Sequence, residues 1–340
     1  MSDFPNFAHL VNISDEIGVF EHCTGLQPRV EHGYCVDDVA RALVVLTRQP
    51  SIDPERRGLT DVCLAFLRDS QGADGLICNR RNAHAEWTTG PSSADHWGRA
   101  LWGLGTAAAR SDRPAIASAA RAAFEGSAAI RSPYLRAMVF AGLGAAEVLA
   151  VDPDDQLARR LLRDAVLRIG PVGDEPWPWP EPRLRYANAA IPEVLLLGGY
   201  YLDDPYLVEE GARLLRWLLQ QECSDGFFSV VPSGGWELGE PRPAFDQQPI
   251  EVAALVDAAV TALLVTGDAS WRRFVERGAA WFAGANDGGI PMADPRLGAG
   301  FDGLRRNGRN ANCGAESTLA YLGVAQHLLA HSGIDRASVG

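Results

Sequence analysis

Carboxylates recur where segments with helically spaced apolar residues begin. Asp38, Asp95, Asp246, Glu251 and Glu316 all occupy such positions. Two carboxylic acids that flank a scissile bond can act as proton donor and as base or nucleophile, which is the pair that glycoside cleavage requires. We therefore take these five acids as catalytic candidates, with the proton donor among the last three and its partner at Asp38 or Asp95.

Ordinary helix stabilisation is an alternative explanation for some of these acids. Asp37 or Asp38 can cap a helix and pair with Arg41 three or four residues later. Glu251 and Glu316 are harder to explain in this way, because each lies in the first turns of an apolar helix among small residues. A carboxylate there needs a partner, a solvated pocket or a shifted pKa.

The segment Asp174–Asn188 contains too many prolines to be helical throughout. We expect a stiff loop that displays Trp177, Trp179 and Glu181, because indole faces beside a carboxylate suit a sugar ring. The alternative is that the loop packs its tryptophans against the body of the protein, since tryptophan is usually largely buried.

Other polar and aromatic residues accompany the acids and form a set of candidate substrate-binding residues. The set is Tyr34, Asp37, His96, Arg99, Trp179, Glu181, Tyr186, Asn188, Gln247, Gln248, Asp302 and Asn312.

Metal and cofactor chemistry have little support in the sequence, and we predict neither a metal nor a cofactor. His327 and His331 are spaced i, i+4 but have no third ligand nearby in the sequence, which favours a role near a helix C-terminus. The chain has no phosphate-binding loop, no dinucleotide-binding glycine motif and no G-x-S-x-G elbow.

Composition restricts the classes of partner. A net charge of −12 among 340 residues disfavours nucleic acid and anionic membranes, both of which need a dense basic surface. The N-terminus lacks the basic start and apolar run of a signal peptide, and we expect a cytoplasmic protein. The six cysteines form no C-x-x-C pair, so free and mostly buried thiols are expected.

Helical periodicity runs through nearly the whole chain, and strand signals are confined to short stretches such as Phe227–Val231. Together with a weak N-terminal segment, Asn6–Phe20, the pattern gives twelve helices in six hairpins. The other segments are Asp38–Arg48, Leu59–Asp69, Asp95–Ala109, Pro114–Phe124, Pro133–Ala150, Gln156–Ile169, Ala187–Leu202, Pro205–Gln221, Gln247–Thr266, Ser270–Ala283 and Cys313–Ala330.

Similar hairpins favour a closed ring, because an open solenoid needs polar capping repeats and none is evident. The prediction is an all-α fold, an (α/α)6 barrel, in a single domain over residues 1–340. In such a ring the inner helices start at the same end. The segments at those starts are rich in acids, amides and aromatics: Gly33–Arg41, Ser92–Trp102, Arg131–Tyr134, Arg185–Glu193, Phe245–Glu251 and Asn310–Ser317.

As a set, these motifs resemble a bacterial family of (α/α)-barrel carbohydrate-active proteins, many of them named as glycosyltransferases or attached to glycosyltransferase domains. The resemblance implies a fold like that of six-hairpin glycosidases and a sugar substrate. It rests on the segments His32–Leu43, Ser93–Leu104, Trp179–Asn188, Phe245–Glu251, Asp302–Leu304 and Asn310–Ser317.

Our first hypothesis is a glycoside hydrolase-like enzyme acting on an oligo- or polysaccharide. Phosphorolysis or another glycosyl transfer is an alternative, because Arg305, Arg306 and Arg309 could hold a phosphate. A non-catalytic carbohydrate-binding module that partners a glycosyltransferase is another. Sugar epimerisation would use His32 and His96 and has weaker support, and a terpene-cyclase-like ring is disfavoured by the polar residues.

Overall fold

The computed structural model describes residues 5–49 and 53–337, with side chains to residue 330. Within these ranges the chain forms twelve α-helices, which confirms the predicted all-helical class. They are α1 (Ala8–Asn12), α2 (Val36–Thr47), α3 (Pro54–Asp69), α4 (Asp95–Arg110), α5 (Pro114–Ser127), α6 (Leu135–Val151), α7 (Gln156–Ile169), α8 (Ala190–Tyr201), α9 (Pro205–Glu222), α10 (Pro249–Thr266), α11 (Arg272–Ala283) and α12 (Ala315–Ala337).

In the described part of the chain, ten strands of two or three residues lie between helices and form five antiparallel pairs. They are β1 (Cys23–Thr24) with β2 (Gln27–Pro28), β3 (Tyr34–Cys35) with β4 (Arg80–Arg81), β5 (Cys223–Ser224) with β6 (Phe227–Phe228), β7 (Ala293–Asp294) with β8 (Ala299–Gly300), and β9 (Gly303–Arg305) with β10 (Gly308–Asn310).

Two compact units share the chain. Among the described residues, the N-terminal unit consists of Leu10–Gly170 and Leu197–Pro205, and the C-terminal unit consists of residues 5–9, Pro171–Leu196 and residues 206–337. The prediction of a single domain stays a prediction, and each unit is described by itself.

The predicted N-terminal helix is much shorter than expected. Residues Asn6–Phe20 were predicted as one helix, but only α1 is helical within them. The chain turns instead at Asp15, whose carboxylate accepts hydrogen bonds from the backbone N–H groups of Ile17 (2.9 Å) and Gly18 (3.1 Å). An Asp that binds the backbone two and three residues ahead favours a turn over a continued helix.

Helix burial in the N-terminal unit alternates along the chain. In α6, 13 of 17 residues are buried, whereas α5 and α7 each bury 5 of 14 and expose an opposite polar face. The even-numbered helices α2, α4 and α6 therefore form the interior of this unit, and the odd-numbered helices cover it.

Glycines set how closely these interior helices approach. A Cβ on Gly98 would lie 2.1 Å from the Ala137 carbonyl oxygen on α6, and one on Gly144 would lie 2.2 Å from that of Leu101 on α4. Gly103 faces the Ala40 carbonyl on α2 in the same way, at 2.8 Å. The two contacts between α4 and α6 occur in the same order along both helices. The same holds for α2 and α4, where Arg99 also lies 3.4 Å from Asp37, so the three helices run parallel and their N-termini lie side by side.

Helix α10 is long and apolar enough to cross a membrane by length and composition, the one such helix among the described residues. Half of its residues are buried inside the protein, as expected for a core helix.

The six cysteines are free, and Cys23, Cys35, Cys63 and Cys313 are buried. Both findings agree with the sequence-based expectation.

Gly98→Ala should destabilise the protein by about 1–3 kcal/mol, because the added methyl meets backbone that cannot move aside. Gly58→Ala is the matched control in α3, where a Cβ would have nothing within 4 Å. It should raise the free energy of unfolding by about 0.5–1 kcal/mol, since alanine is the better helix former. Urea unfolding measures both, and equal effects of the two substitutions would contradict the close approach.

Candidate functional site

Five of the six even-numbered helices have a carboxylate in their first turn. These acids are Asp37 and Asp38 on α2, Asp95 on α4, Glu193 on α8, Glu251 on α10 and Glu316 on α12. Among the odd-numbered helices, α3 has Glu55 in its first turn, whereas α5, α7, α9 and α11 have no acid there. Helix N-termini favour anions through the dipole and free N–H groups, but that effect acts on both sets of helices alike. The higher frequency of first-turn acids on the even-numbered helices is therefore not explained by the helix dipole alone.

In the N-terminal unit the α2 acids are held by arginines. Asp38 is 3% exposed, and its carboxylate accepts hydrogen bonds from Arg41 (2.6 Å) and from the Cys35 thiol (3.1 Å). Asp37 is more exposed and lies 3.4 Å from the Nε of Arg99. Arg99 is itself buried, with its guanidinium 3.9 Å from the ring centre of Phe140 on α6.

The remaining predicted residues of this unit differ in how accessible they are. Asp95 is half-buried at the start of α4. His96 is buried, and its Nε2 lies 2.9 Å from the Ile77 carbonyl oxygen. Tyr34 is 1% exposed and donates its hydroxyl to Asp15 (2.6 Å), and burial beside that carboxylate raises the pKa of Tyr34. Of the three predicted acids in this unit, Asp37 and Asp95 are thus more accessible than Asp38.

Glu21, Cys35 and Asp38 bring one ligand atom each within 4.8 Å of one another. Arg80 forms a bidentate ion pair with Glu21, and Arg41 pairs with Asp38. Burial and the neighbouring Asp38 raise the pKa of the Cys35 thiol well above its usual range. We interpret the group as two neighbouring arginine–carboxylate pairs, one of which also accepts a hydrogen bond from the neutral Cys35 thiol.

In the C-terminal unit, backbone hydrogen bonds join three segments that carry predicted residues. Gln247 and Leu304 exchange two bonds of 2.9 Å, and the Asp302 N–H donates to the Asn312 carbonyl at 2.9 Å. The Asp302 carboxylate then accepts from the Gly314 N–H at 2.7 Å, directly before α12. The structure therefore brings the segments of Asp246, Asp302 and Glu316 together.

Side chains on these three segments remain accessible. Asp246 is exposed, and Gln248, Asp302, Asn312 and Glu316 are half-buried. Asp246 lies in the loop three residues before α10, and Glu316 lies in the first turn of α12.

The side chain of Gln247 makes its hydrogen bonds with other residues of the protein. It is fully buried, and its amide nitrogen donates to the Ala244 carbonyl (2.8 Å) and to Asp287 (2.6 Å). Its amide oxygen accepts from the Trp281 indole at 3.2 Å. We therefore interpret Gln247 as the residue that fixes the loop on which Asp246 and Gln248 lie.

Glu251 is also turned inward. It is 3% exposed, and its Oε1 accepts from the Ala187 N–H at 2.5 Å. Its Oε2 accepts from both the backbone N–H (3.3 Å) and the side-chain amide (3.2 Å) of Asn188. Asn188 is fully buried, and its amide oxygen accepts from the Arg185 N–H at 2.9 Å.

Glu222 belongs to the same network and was missed by sequence reasoning. It is fully buried as the last residue of α9, and among the described residues neither of its carboxyl oxygens meets a hydrogen-bond partner of standard geometry. Burial and the negative charge of Glu251 raise the pKa of Glu222 well above its usual range, against the opposing effect of Arg242. The sequence did contain a sign of it: Glu222 directly follows the predicted helix Pro205–Gln221, where a negative charge is unfavourable because of the helix dipole, so another role was worth considering.

Arg242 is the cation of this network. It is half-buried and donates to the carbonyl oxygens of Gln221 (3.1 Å), Ser229 (2.6 Å) and Pro243 (2.9 Å). Burial lowers the pKa of Arg242, while Glu222 and Asp287 oppose that effect.

The tryptophan loop does not display its indoles as expected. Trp179 is 4% exposed and stacks on Trp217 of α9 with ring centres 6.0 Å apart. Trp177 packs edge-on against Trp217 and Trp236 and donates its indole N–H to the Glu181 carbonyl at 2.8 Å. The display prediction is wrong, because these rings gain more by burial against one another than by facing water. Glu181 is half-buried, and Tyr186 is 36% exposed.

His327 does not lie in the last turn of its helix as expected. Helix α12 continues to Ala337, and the Nε2 of His327 lies 2.6 Å from an Asp257 carboxylate oxygen on α10. The side chain of His331 lies outside the described residues.

A cavity of about 360 Å³ lies elsewhere in the C-terminal unit, lined by residues such as Phe282, Pro291, Tyr321, Val324 and Leu328. Its walls are almost wholly apolar. A sugar needs hydrogen-bonding partners for its hydroxyls, so we place no sugar there.

The chain matches no protein-family model. No curated protein matches it in sequence.

Solved structures match the chain over nearly its whole length. Cellobiose 2-epimerase from Bacillus thermoamylovorans is 9% identical with a TM-score of 0.72, covering 96% of each chain. A D-mannose isomerase is 11% identical with a TM-score of 0.70, covering 96% of this chain and 95% of its own. A GH76 α-mannanase from Bacteroides thetaiotaomicron is 10% identical with a TM-score of 0.65, covering 97% and 95%.

These enzymes have the (α/α)6-barrel fold, and the chain shares it, which confirms the predicted fold class. Identities near 10% establish the fold and nothing finer.

The Glu222 carboxyl should make stability depend on pH. Since its folded-state pKa is raised, its contribution is fully present below its ordinary pKa of 4.5 and is lost as pH rises toward the folded-state value. From about pH 5 to about pH 8, the unfolding free energy of the wild type should fall relative to Glu222→Gln, by at most about 1.4 kcal/mol per pH unit.

Denaturant unfolding across that range measures the difference. Glu209→Gln, an exposed acid on the same helix, is the matched control and should show the wild-type pH dependence. Parallel curves for the wild type and Glu222→Gln would contradict the raised pKa.

Proposed function

We propose that the protein is a carbohydrate-active enzyme that cleaves glycosidic bonds with paired carboxylates at the N-termini of its even-numbered helices. In the C-terminal unit we assign the pair to Asp246 and Glu316. The fold is compatible with this chemistry, since the GH76 α-mannanase has it.

The joined segments around Asp302 carry the proposal. Backbone hydrogen bonds connect Gln247 to Leu304, and Asp302 to Asn312 and Gly314. This network connects the backbone segments on which Asp246 and Glu316 lie, while Asp246 is exposed and Glu316 is half-buried. A proton donor and a base or nucleophile need this combination of fixed position and access to the substrate.

Burial separates the five acids that sequence reasoning could not rank. Asp38 and Glu251 are each 3% exposed, and their oxygens accept hydrogen bonds from within the protein. A catalytic acid must come within hydrogen-bonding distance of the bond that it cleaves. Asp246, Glu316 and, in the N-terminal unit, Asp95 meet that requirement more readily.

Isomerisation or epimerisation of a sugar is the second candidate. It is favoured by the high structural similarity to the cellobiose 2-epimerase and the D-mannose isomerase. Its chemistry needs a base and an acid beside the sugar carbon that changes configuration, and His96 is too deeply buried to be an obvious choice.

Phosphorolysis is supported by the β9–β10 hairpin. Arg305 and Arg306 are exposed there, and the Arg306 guanidinium lies 5.5 Å from the ring centre of Phe245, next to Asp246. Arg309 is occupied by the Pro291 carbonyl and the Phe301 ring, 3.6 Å away. The remaining pair of guanidinium groups could hold a phosphate beside the proposed carboxylates.

Purified protein incubated with cellobiose, mannobiose, larger oligosaccharides and free mannose in D₂O, with and without phosphate, tests all three reactions. Hydrolysis creates new reducing ends, and phosphorolysis creates a sugar 1-phosphate only when phosphate is added. Epimerisation or isomerisation keeps the chain length and exchanges a carbon-bound proton for deuterium, which NMR detects.

Asp246→Asn and Glu316→Gln should each lower the rate of glycosidic cleavage by roughly 10²–10⁴-fold, the usual loss for a general acid or base. Glu209→Gln on α9 is the matched control and should keep wild-type activity. Cleavage that survives both substitutions would sink the assignment of this pair, and deuterium exchange without cleavage would replace hydrolysis by the second candidate.

Sugar binding without turnover would favour the non-catalytic module. Association with a glycosyltransferase and a cytoplasmic location remain proposals from the sequence alone.

A further inference from the structure

Two separate anchors hold a short turn before α8 in the C-terminal unit. At its start, Leu184 and Trp236 exchange backbone hydrogen bonds of 2.7 and 3.1 Å. At its end, the Glu251 carboxylate accepts from Ala187 and Asn188. The exposed residues Arg185 and Tyr186 lie between the two anchors.

The turn is held against its own conformational preference. Ala187 has a φ of +46°, in the left-handed region that costs a residue with a Cβ about 1 kcal/mol or more. Gly235, beside Trp236, also has a positive φ of 73°, and a Cβ on it would lie 2.4 Å from the Leu184 carbonyl oxygen. Both anchors therefore constrain the backbone to a single path.

Glu251 is fully engaged in this task. Each of its oxygens accepts an N–H of the turn, and Asn188 links it to the Arg185 N–H. A carboxylate that accepts N–H bonds at both oxygens and is 3% exposed is poorly placed to deliver a proton to a substrate.

The side chain of Arg185, in contrast, does not help to hold the turn. It is exposed and, within the described part of the chain, makes no hydrogen bond or ion pair. A guanidinium can donate to two neighbouring oxygens, and the face of a tyrosine ring covers the C–H face of a sugar.

We propose that the turn Leu184–Asn188 is a substrate-recognition element in which Arg185 and Tyr186 contact the sugar, and that Glu251 is the positioning residue that holds it. The inference rests on the proposed function for its substrate class. It assigns Arg185 a role and places Glu251 outside the reacting groups.

Hydrogen exchange tests the anchoring without any substrate. In Glu251→Gln, an NH₂ group replaces one acceptor and faces N–H donors, so the amides of Ala187 and Asn188 should exchange at least tenfold faster than in the wild type. Exchange at these amides that does not change would overturn the anchoring role. Glu209→Gln again serves as the control.

Steady-state kinetics on the sugar that the panel identifies separates positioning from catalysis. Arg185→Ala should raise KM about tenfold, the loss expected for one charged hydrogen bond, with a smaller change in kcat. Glu251→Gln, which releases the turn, and Tyr186→Ala, which removes the ring face, should also raise KM more than they change kcat. The pH profile of kcat should keep both limbs in Glu251→Gln. A fall in kcat of about 100-fold or more with one limb lost would instead make Glu251 the general acid and overturn the proposal.

Gly235→Ala covers the case in which Glu251→Gln does not fold. It disturbs the other anchor and leaves every carboxylate in place, so it should raise KM with kcat nearly unchanged. Gly234→Ala is the matched control, because a Cβ there meets nothing within 4 Å, and it should match the wild type. Equal KM values for the two variants would overturn the role of the turn.

Thermal shift with the same sugars distinguishes the two possible failures. If no sugar is turned over or bound, the proposed function and the role of Arg185 and Tyr186 fall together, while hydrogen exchange still decides the anchoring. If a sugar stabilises the wild type and Arg185→Ala equally, the recognition role fails and the proposed function stands.

Discussion

The packing of the N-terminal unit depends on the close approach of the backbones of the parallel helices α2, α4 and α6. Where Gly98, Gly103 and Gly144 face carbonyl groups of a neighbouring helix, no side chain of any size fits between the two backbones. Helices that approach so closely cannot slide along one another without a clash, so their relative position along the helix axis is fixed. Their first turns then lie beside one another, and a side chain on one helix start can reach the next, as Arg99 reaches Asp37.

Gathered helix starts concentrate free N–H groups and partial positive charge in a small region. This explains why acids are tolerated there, but the side chains of these acids fall into two groups. Asp38 and Glu251 turn inward and bind the protein itself, whereas Asp246 and Glu316 keep access to solvent. The inward group fixes local backbone and arginines, and the more exposed pair is the one to which we assign the proposed chemistry.

Much of the fold could be predicted from the sequence, because apolar spacing alone defines most of the helices. The range Gln156–Ile169 agrees at both ends, where Asp155 caps the helix and Gly170 follows it. The first turn of α3 was missed because it is polar and exposed, although Asp53 and Pro54 are typical helix-start residues. The site was harder to predict, since periodicity cannot tell a first-turn acid that binds its own protein from one that faces solvent. Glu222 was overlooked because only the fold brings the end of α9 beside Glu251.

The turn before α8 also bears on how such a protein can change. The atoms that fix it belong to Trp236, Glu251 and Asn188, and the backbone of Leu184 and Ala187 supplies the rest. None of these contacts uses the side chain of Arg185. If Arg185 has the recognition role proposed above, substitutions there would alter ligand preference without disturbing the contacts that fix the turn, so that preference could evolve while stability is preserved.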